Sequence, residues 1–187
     1  MTAATEKTSL LSVARASIEH GLVRNTRWLP ASDEYPQSWQ ANGACFVTLK
    51  RFGELRGCIG TIEALEPMVI NVARNAYGAA FNDPRFPALT RAEWPEIRLS
   101  LALLTPAEPL HFATEAELLA ALQPGRDGLI IEKDHKHATF LPSVWESLAQ
   151  PQDFLTALKH KAGLAADESP TRAWRYQCKS LSDHDNT

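Results

Sequence analysis

The chain predicts a mixed α+β fold whose sheet is mainly antiparallel and packed by helices. Three observations carry that reading: strand-like and helix-like runs alternate in no regular βαβ series, two strand pairs read as hairpins, and no segment repeats. With 187 residues, 44% of them hydrophobic, the chain is long enough to bury a substantial core; its length alone allows one large domain or two small lobes, and one compact unit is expected.

The first helix is predicted over Leu10 to Gly21, because Leu10, Leu11, Ala14, Ile18 and Leu22 recur at helical spacing and Gly21 suits a C-terminal cap. Trp28 to Asn42 carries Pro30, Ser32, Asp33 and Pro36 and reads as an ordered loop with Trp28 and Trp39 near its ends. Ala44 to Lys50 and Leu55 to Ile62 are rich in β-formers around the turn Arg51-Phe52-Gly53-Glu54, a hairpin. A two-residue turn at Phe52-Gly53 would put Val47 across from Cys58 and Cys45 diagonal to it, with Arg56 and Cys58 on one side; one more loop residue reverses the pairing.

Pro67 to Phe81 reads as a helix burying Val69, Val72, Ala73, Ala76 and Ala80. Asn82 to Pro87 ends it as a rigid turn, since residues before proline avoid the helical region. Ile97 to Leu104 is apolar between Pro95 and Pro106, which suits a buried strand. Thr114 with Glu117 and Ser143 with Glu146 have capping-box spacing and open short helices. Gly128 to Glu132 and Ala138 to Leu141 form a second hairpin across Lys133 to His137. A helix from Gln152 to Ala162 stops at Gly163, Ala173 to Cys178 is a last strand, and the polar tail after Lys179 is expected to fray.

Nineteen basic against 22 acidic residues, a net charge of -3, provide no excess positive field for a phosphate backbone, which disfavours nucleic acid as a partner. No apolar run approaches the ~20 residues of a membrane span and no leader-like pattern opens the chain, so a cytoplasmic location is expected. Cys45, Cys58 and Cys178 are scattered and odd in number, which fits reduced thiols, and none forms a CxxC zinc pair.

The segment Leu55-Arg56-Gly57-Cys58-Ile59-Gly60-Thr61 is the most informative. Glycines inside a strand mark a bulge or the close approach of another group, and a cationic neighbour favours the reactive thiolate. With Phe46 to Lys50, Asp83-Pro84-Arg85-Phe86, Gly128-Leu129-Ile130, Phe140-Leu141-Pro142 and Lys161-Ala162-Gly163-Leu164 in this order, the chain resembles the AMMECR domain family over nearly its whole length. The resemblance implies a single α+β domain over residues 8–180 with a larger and a smaller lobe, with residues 1–7 and 181–187 as flexible termini. It implies no established enzymatic activity. Prokaryotic members resemble protein A of the AmmeMemoRadiSam system, so a Memo-like protein and a radical-SAM protein are the implied partners. The chain departs from the family at Asp134-His135-Lys136-His137, where relatives carry a short Gly/Arg-rich turn.

Cys58 is the candidate nucleophile or attachment point, the alternative being a small packing residue. Arg56 is a candidate fork for a small anionic ligand, against a salt bridge to Glu54 or Glu63. Gly57, Gly60 and Thr61 complete the candidate binding segment, and Asp83 with Arg85 form a charged wall or a self-tied turn. No serine, histidine and acid stand in triad-like spacing. His135 and His137 are too few for a metal, His111 and His160 lack partners at ligand spacing, and no cofactor is called for. Three functional readings follow: an accessory ligand- or partner-binding subunit, an enzyme using the Cys58 thiolate in group transfer, or a purely structural adaptor whose exposed surface docks the Memo-like or radical-SAM protein.

Overall fold

A computed structural model describes residues 9–183. In chain order its elements are α1 (Leu10–Arg24), α2 (Gln37–Gln40), β1 (Asn42–Gly43), β2 (Cys45–Arg51), β3 (Glu54–Gly60), β4 (Glu66–Pro67), α3 (Met68–Phe81) and β5 (Ile97–Leu104). Then follow β6 (Glu108–Leu110), α4 (Glu115–Ala121), β7 (Gly128–Lys133), β8 (Lys136–Phe140), α5 (Pro151–Ala162), β9 (Arg172–Tyr176) and β10 (Cys178–Ser182). The fold is α+β, and every strand pairing with a defined register is antiparallel.

Length alone allows one large domain or two lobes, and among the described residues the chain divides into two compact units, 105–178 forming the second and the rest the first. The reason is that each part has a four-stranded sheet and a hydrophobic cluster of its own.

In the first unit the strand order is β10-β5-β2-β3, with the small pair β1-β4 separate. Helices α1 and α3 pack on each other, and α3 lies across β2 and β3. Between them they bury Ile18, Val72, Ala73 and Ala76 against Val47, Leu49, Leu99 and Leu101. The predicted apolar face of α3 is buried throughout, with Asn71 and Asn75 buried as well.

Two local expectations for this unit are corrected. Gly21 does not cap α1; the cap is Asn25 at φ 55, and Gly21 sits where a Cβ would lie 2.4 Å from the Phe81 ring. Its absent side chain allows helix-to-helix approach instead of a turn. The strand β5 is buried on one face only, because Ile97, Leu99 and Leu101 are covered while Arg98 is exposed.

The second unit orders its strands β6-β9-β7-β8 and packs α4 and α5 around Phe154, Leu155, Leu158, Leu129 and Ile131. Thr114 caps α4 by accepting the Glu117 N–H, and Glu117 accepts the N–H of Ala113. Ser143 does not cap. Residues Pro142–Glu146 form a 3₁₀ turn that places the Trp145 ring on Phe154, stacked at 3.8 Å. The β7–β8 turn is tighter than predicted, with Asp134 at φ 56.

The run from Ala173 is two strands rather than one, β9 in the second sheet and β10 in the first. Order therefore extends beyond Lys179, where fraying was expected. Asp183 bonds Arg15 at 2.6 Å and accepts the Leu99 N–H at 2.8 Å, so the polar tail is tied by charge-assisted bonds. Of the expected flexible termini, residues 1–7 and the last four of 181–187 lie outside the described residues.

Candidate functional site

The hairpin β2–β3 turns at Phe52 and Gly53, with φ 53 and 87, the two positive values a tight primed turn requires. The predicted two-residue turn is thus present, but the predicted register is not. Arg51 pairs with Glu54 and Lys50 with Leu55, whereas Leu49 pairs with Gly57, so Arg56 is an extra residue in a β-bulge. The bulge moves Thr48, not Val47, across from Cys58.

Gly57 faces α3. A Cβ there would stand 2.1 Å from the Ala79 carbonyl oxygen, so the backbone of the helix occupies the space a side chain would need. At Gly60 a Cβ would meet the Phe46 ring at 2.3 Å, its direct cross-strand neighbour. Both glycines accommodate neighbours from within the chain itself.

Cys58 turns away from α3, partly exposed, and its Sγ lies 3.3 Å from the Thr48 Oγ1. The outward edge of β3 at this residue is closed by the Asp83-Pro84-Arg85 turn. Asp83 Oδ2 accepts the Cys58 N–H at 2.8 Å, and Arg85 donates to the Cys58 carbonyl at 3.2 Å. Arg85 also grips Asp83 at 2.7 Å, and its own N–H reaches Oδ1. An ion pair thereby replaces the missing neighbouring strand, satisfying a peptide that an edge leaves open. The bond from Arg85, aided by the backbone N–H groups of Cys58 and Arg85, holds the Asp83 carboxyl well below the usual range.

Arg56 is buried, and its fork binds Glu93 at 2.9 and 3.2 Å. Its partner is therefore neither Glu54 nor Glu63. The bond from Arg56, with two more from Thr90, lowers the Glu93 carboxyl to about 2. The remaining Arg56 nitrogen, Nη1, is buried with no partner among the described residues. Phe86 lies beneath both guanidinium groups, 5.9 Å from Arg56 and 5.5 Å from Arg85. The structure thus joins Arg56, Cys58, Asp83 and Arg85 in one site, with Glu93 and Phe86 added.

Thr61 belongs to another network. It exchanges bonds with Asn71, which accepts the Cys45 N–H at 3.0 Å and a bond from Asn75, and donates to Glu66. Burial pushes the Cys45 thiol beside them up to about 12. Reasoning from the sequence missed Asn71, Asn75 and Glu93. The two asparagines sit four apart on an otherwise apolar helix face, a visible polar interruption at core positions. Glu93 offered no such signal. Among the described residues no three His, Cys, Asp or Glu side chains form a group able to hold a metal.

A protein-family model described as AMMECR1 matches residues 11–181. A protein of Methanothermobacter thermautotrophicus is 34% identical over 182 residues, spanning 93% of this chain and 92% of its own. One from Thermococcus gammatolerans is 36% identical over 188 residues, spanning 93% and 88%. The crystal structure of protein PH0010 from Pyrococcus horikoshii superposes with a TM-score of 0.81 at 31% identity, covering 92% of this chain and 89% of that one.

Proposed function

We propose, from the premise that this chain belongs to the AMMECR1 family, that it is a cytoplasmic accessory subunit acting with Memo-like and radical-SAM proteins. Its ligand- or partner-binding surface is the edge formed by Arg56, Cys58, Asp83 and Arg85, with Gly57 and Gly60 in the same strand and Thr61 just after its end. The observation that carries this reading is the closure of the Cys58 peptide by Asp83 and Arg85. It holds the thiol and a half-exposed guanidinium, 54% accessible at Arg85, in one fixed arrangement beside each other. Preorganised polar groups of this kind suit recognition, because little ordering cost remains to be met on binding. The partner of the thiol is the Thr48 hydroxyl, which is no base at neutral pH, and the nearby carboxylate is occupied by Arg85 and the backbone.

Purified protein mixed with its Memo-like and radical-SAM counterparts should co-elute at about 20 μM, a concentration that detects micromolar affinity. Co-elution should weaken in Arg85→Ala. No complex with either protein at that concentration would reject the reading.

An enzyme using the Cys58 thiolate in group transfer is the second reading. It is favoured by the position of the Arg85 guanidinium, which donates to the Cys58 carbonyl at 3.2 Å and so stands as a cation beside the thiol. Iodoacetamide labelling across a pH series tests it. A Cys58 that reacts only as fast as an unactivated thiol would exclude the nucleophile.

A further inference from the structure

The β2–β3 turn shapes a second feature, remote in character from the Cys58 edge. On the sheet face turned away from α3, Lys50 and Arg98 stand directly opposite each other on β2 and β5, both exposed. Like charges in that position repel across the strands. Neither side chain has an ion pair or hydrogen bond among the described residues. Glu96, which lines the same hollow, is held by Arg51 at 2.7 Å through Nε. The two cations are therefore unpaired among the described residues.

They border an open hollow of about 560 Å³, lined also by Phe52, Gly53, Glu96 and Ser100. That volume is in the range of small-molecule sites. Phe52 is the wall with the least structural reason to be there. It is held at φ 53, a conformation a bulky side chain avoids, yet 75% of it is exposed. Its contact is with the Arg51 guanidinium, 5.1 Å from the ring, and a strained residue this exposed is a mark of function.

We propose that this hollow binds a phosphate monoester, independently of the Cys58 surface. Lys50 supplies a point charge and Arg98 a planar fork to the dianion, while Phe52 covers a flat organic group. The net charge of -3 in the chain favours one small anion held locally over a polyanion drawn by a broad positive field.

Titration with phenyl phosphate at low salt, followed by amide NMR, tests the site. The amides of Lys50, Gly53, Arg98 and Ser100 should shift saturably, and phenol should leave them in place. Arg98→Glu should weaken binding at least tenfold and raise the thermal midpoint of the free protein, since it exchanges a repelling pair for an attracting one. Lys50→Glu should do the same, which guards against one variant misfolding. Affinity in both variants within twofold of the parent would overturn the proposal. So would shifts centred on Cys58 and Arg85, or retention on phosphatidic acid vesicles without any response to phenyl phosphate.

Discussion

The Asp83 carboxylate accepts the backbone N–H of Cys58 at 2.8 Å, across 25 residues of sequence. Two motifs that look independent in the chain, Leu-Arg-Gly-Cys and Asp-Pro-Arg-Phe, are by this bond one structure. Removing the carboxylate in Asp83→Ala should cost about 2–3 kcal/mol in urea denaturation, because a desolvated N–H and the Arg85 guanidinium both lose their acceptor. Asp83→Asn retains an acceptor for the N–H and should lose less. Equal losses in the two variants would mean that the peptide bond contributes nothing.

Acid should weaken the fold through Glu93 and Asp83. Each has a folded-state pKa below its unfolded value, so each stabilises fully above the unfolded value and loses that contribution as pH falls through the folded one. For Glu93 the window runs from 4.5 down to about 2, and Asp83 extends the loss to still more acid conditions. Stability measured from neutral pH to about pH 2.5 should fall across this window. In Glu93→Gln it should start lower and fall less steeply, and an unchanged slope would contradict the assignment.

Gly57 and Gly53 should respond to alanine for different reasons. At Gly57 the new methyl would meet the backbone of α3 at 2.1 Å, which no side-chain movement relieves, so a loss of about 3 kcal/mol is expected. At Gly53 nothing lies within 4 Å, and only the positive φ of 87 opposes the change, at about 1 kcal/mol. Chemical denaturation of the two variants should rank them in that order.

Phe52→Asn should stabilise the free protein. Asparagine tolerates the left-handed conformation that costs other residues about 1–2 kcal/mol. The substitution also removes the exposed contact between Phe52 and Arg51, at 5.1 Å, worth about 0.5–1 kcal/mol. A net gain of roughly 0.5–1 kcal/mol should appear as a higher melting midpoint. A lower one would show that Phe52 packs in the turn.

Much was legible before any coordinates. The periodicity of Val69, Val72, Ala73, Ala76 and Ala80 located α3, Phe52-Gly53 located the first turn, and Gly163 ended α5, at φ 76. These are signals within one or two turns of chain, where side-chain spacing and backbone preference act directly. The motif around Cys58 was equally visible, as was its kinship with a family.

The partners inside the site were not. Glu54 and Glu63 are the acids nearest Arg56 in the chain, yet Glu93 takes its fork, because the chain beyond α3 returns Glu93 to β3 and a rigid fork selects geometry over proximity in sequence. The register at Cys58 was hidden for a related reason. A single bulged residue, Arg56, reverses which side chain faces it, and no local propensity distinguishes a bulged strand from a regular one. Short-range chemistry thus set the elements and the reactive types of residue. Long-range pairing set what each of them touches, and so whether the glycines beside Cys58 make room for a ligand or, as here, for the helix at Gly57 and the Phe46 ring at Gly60.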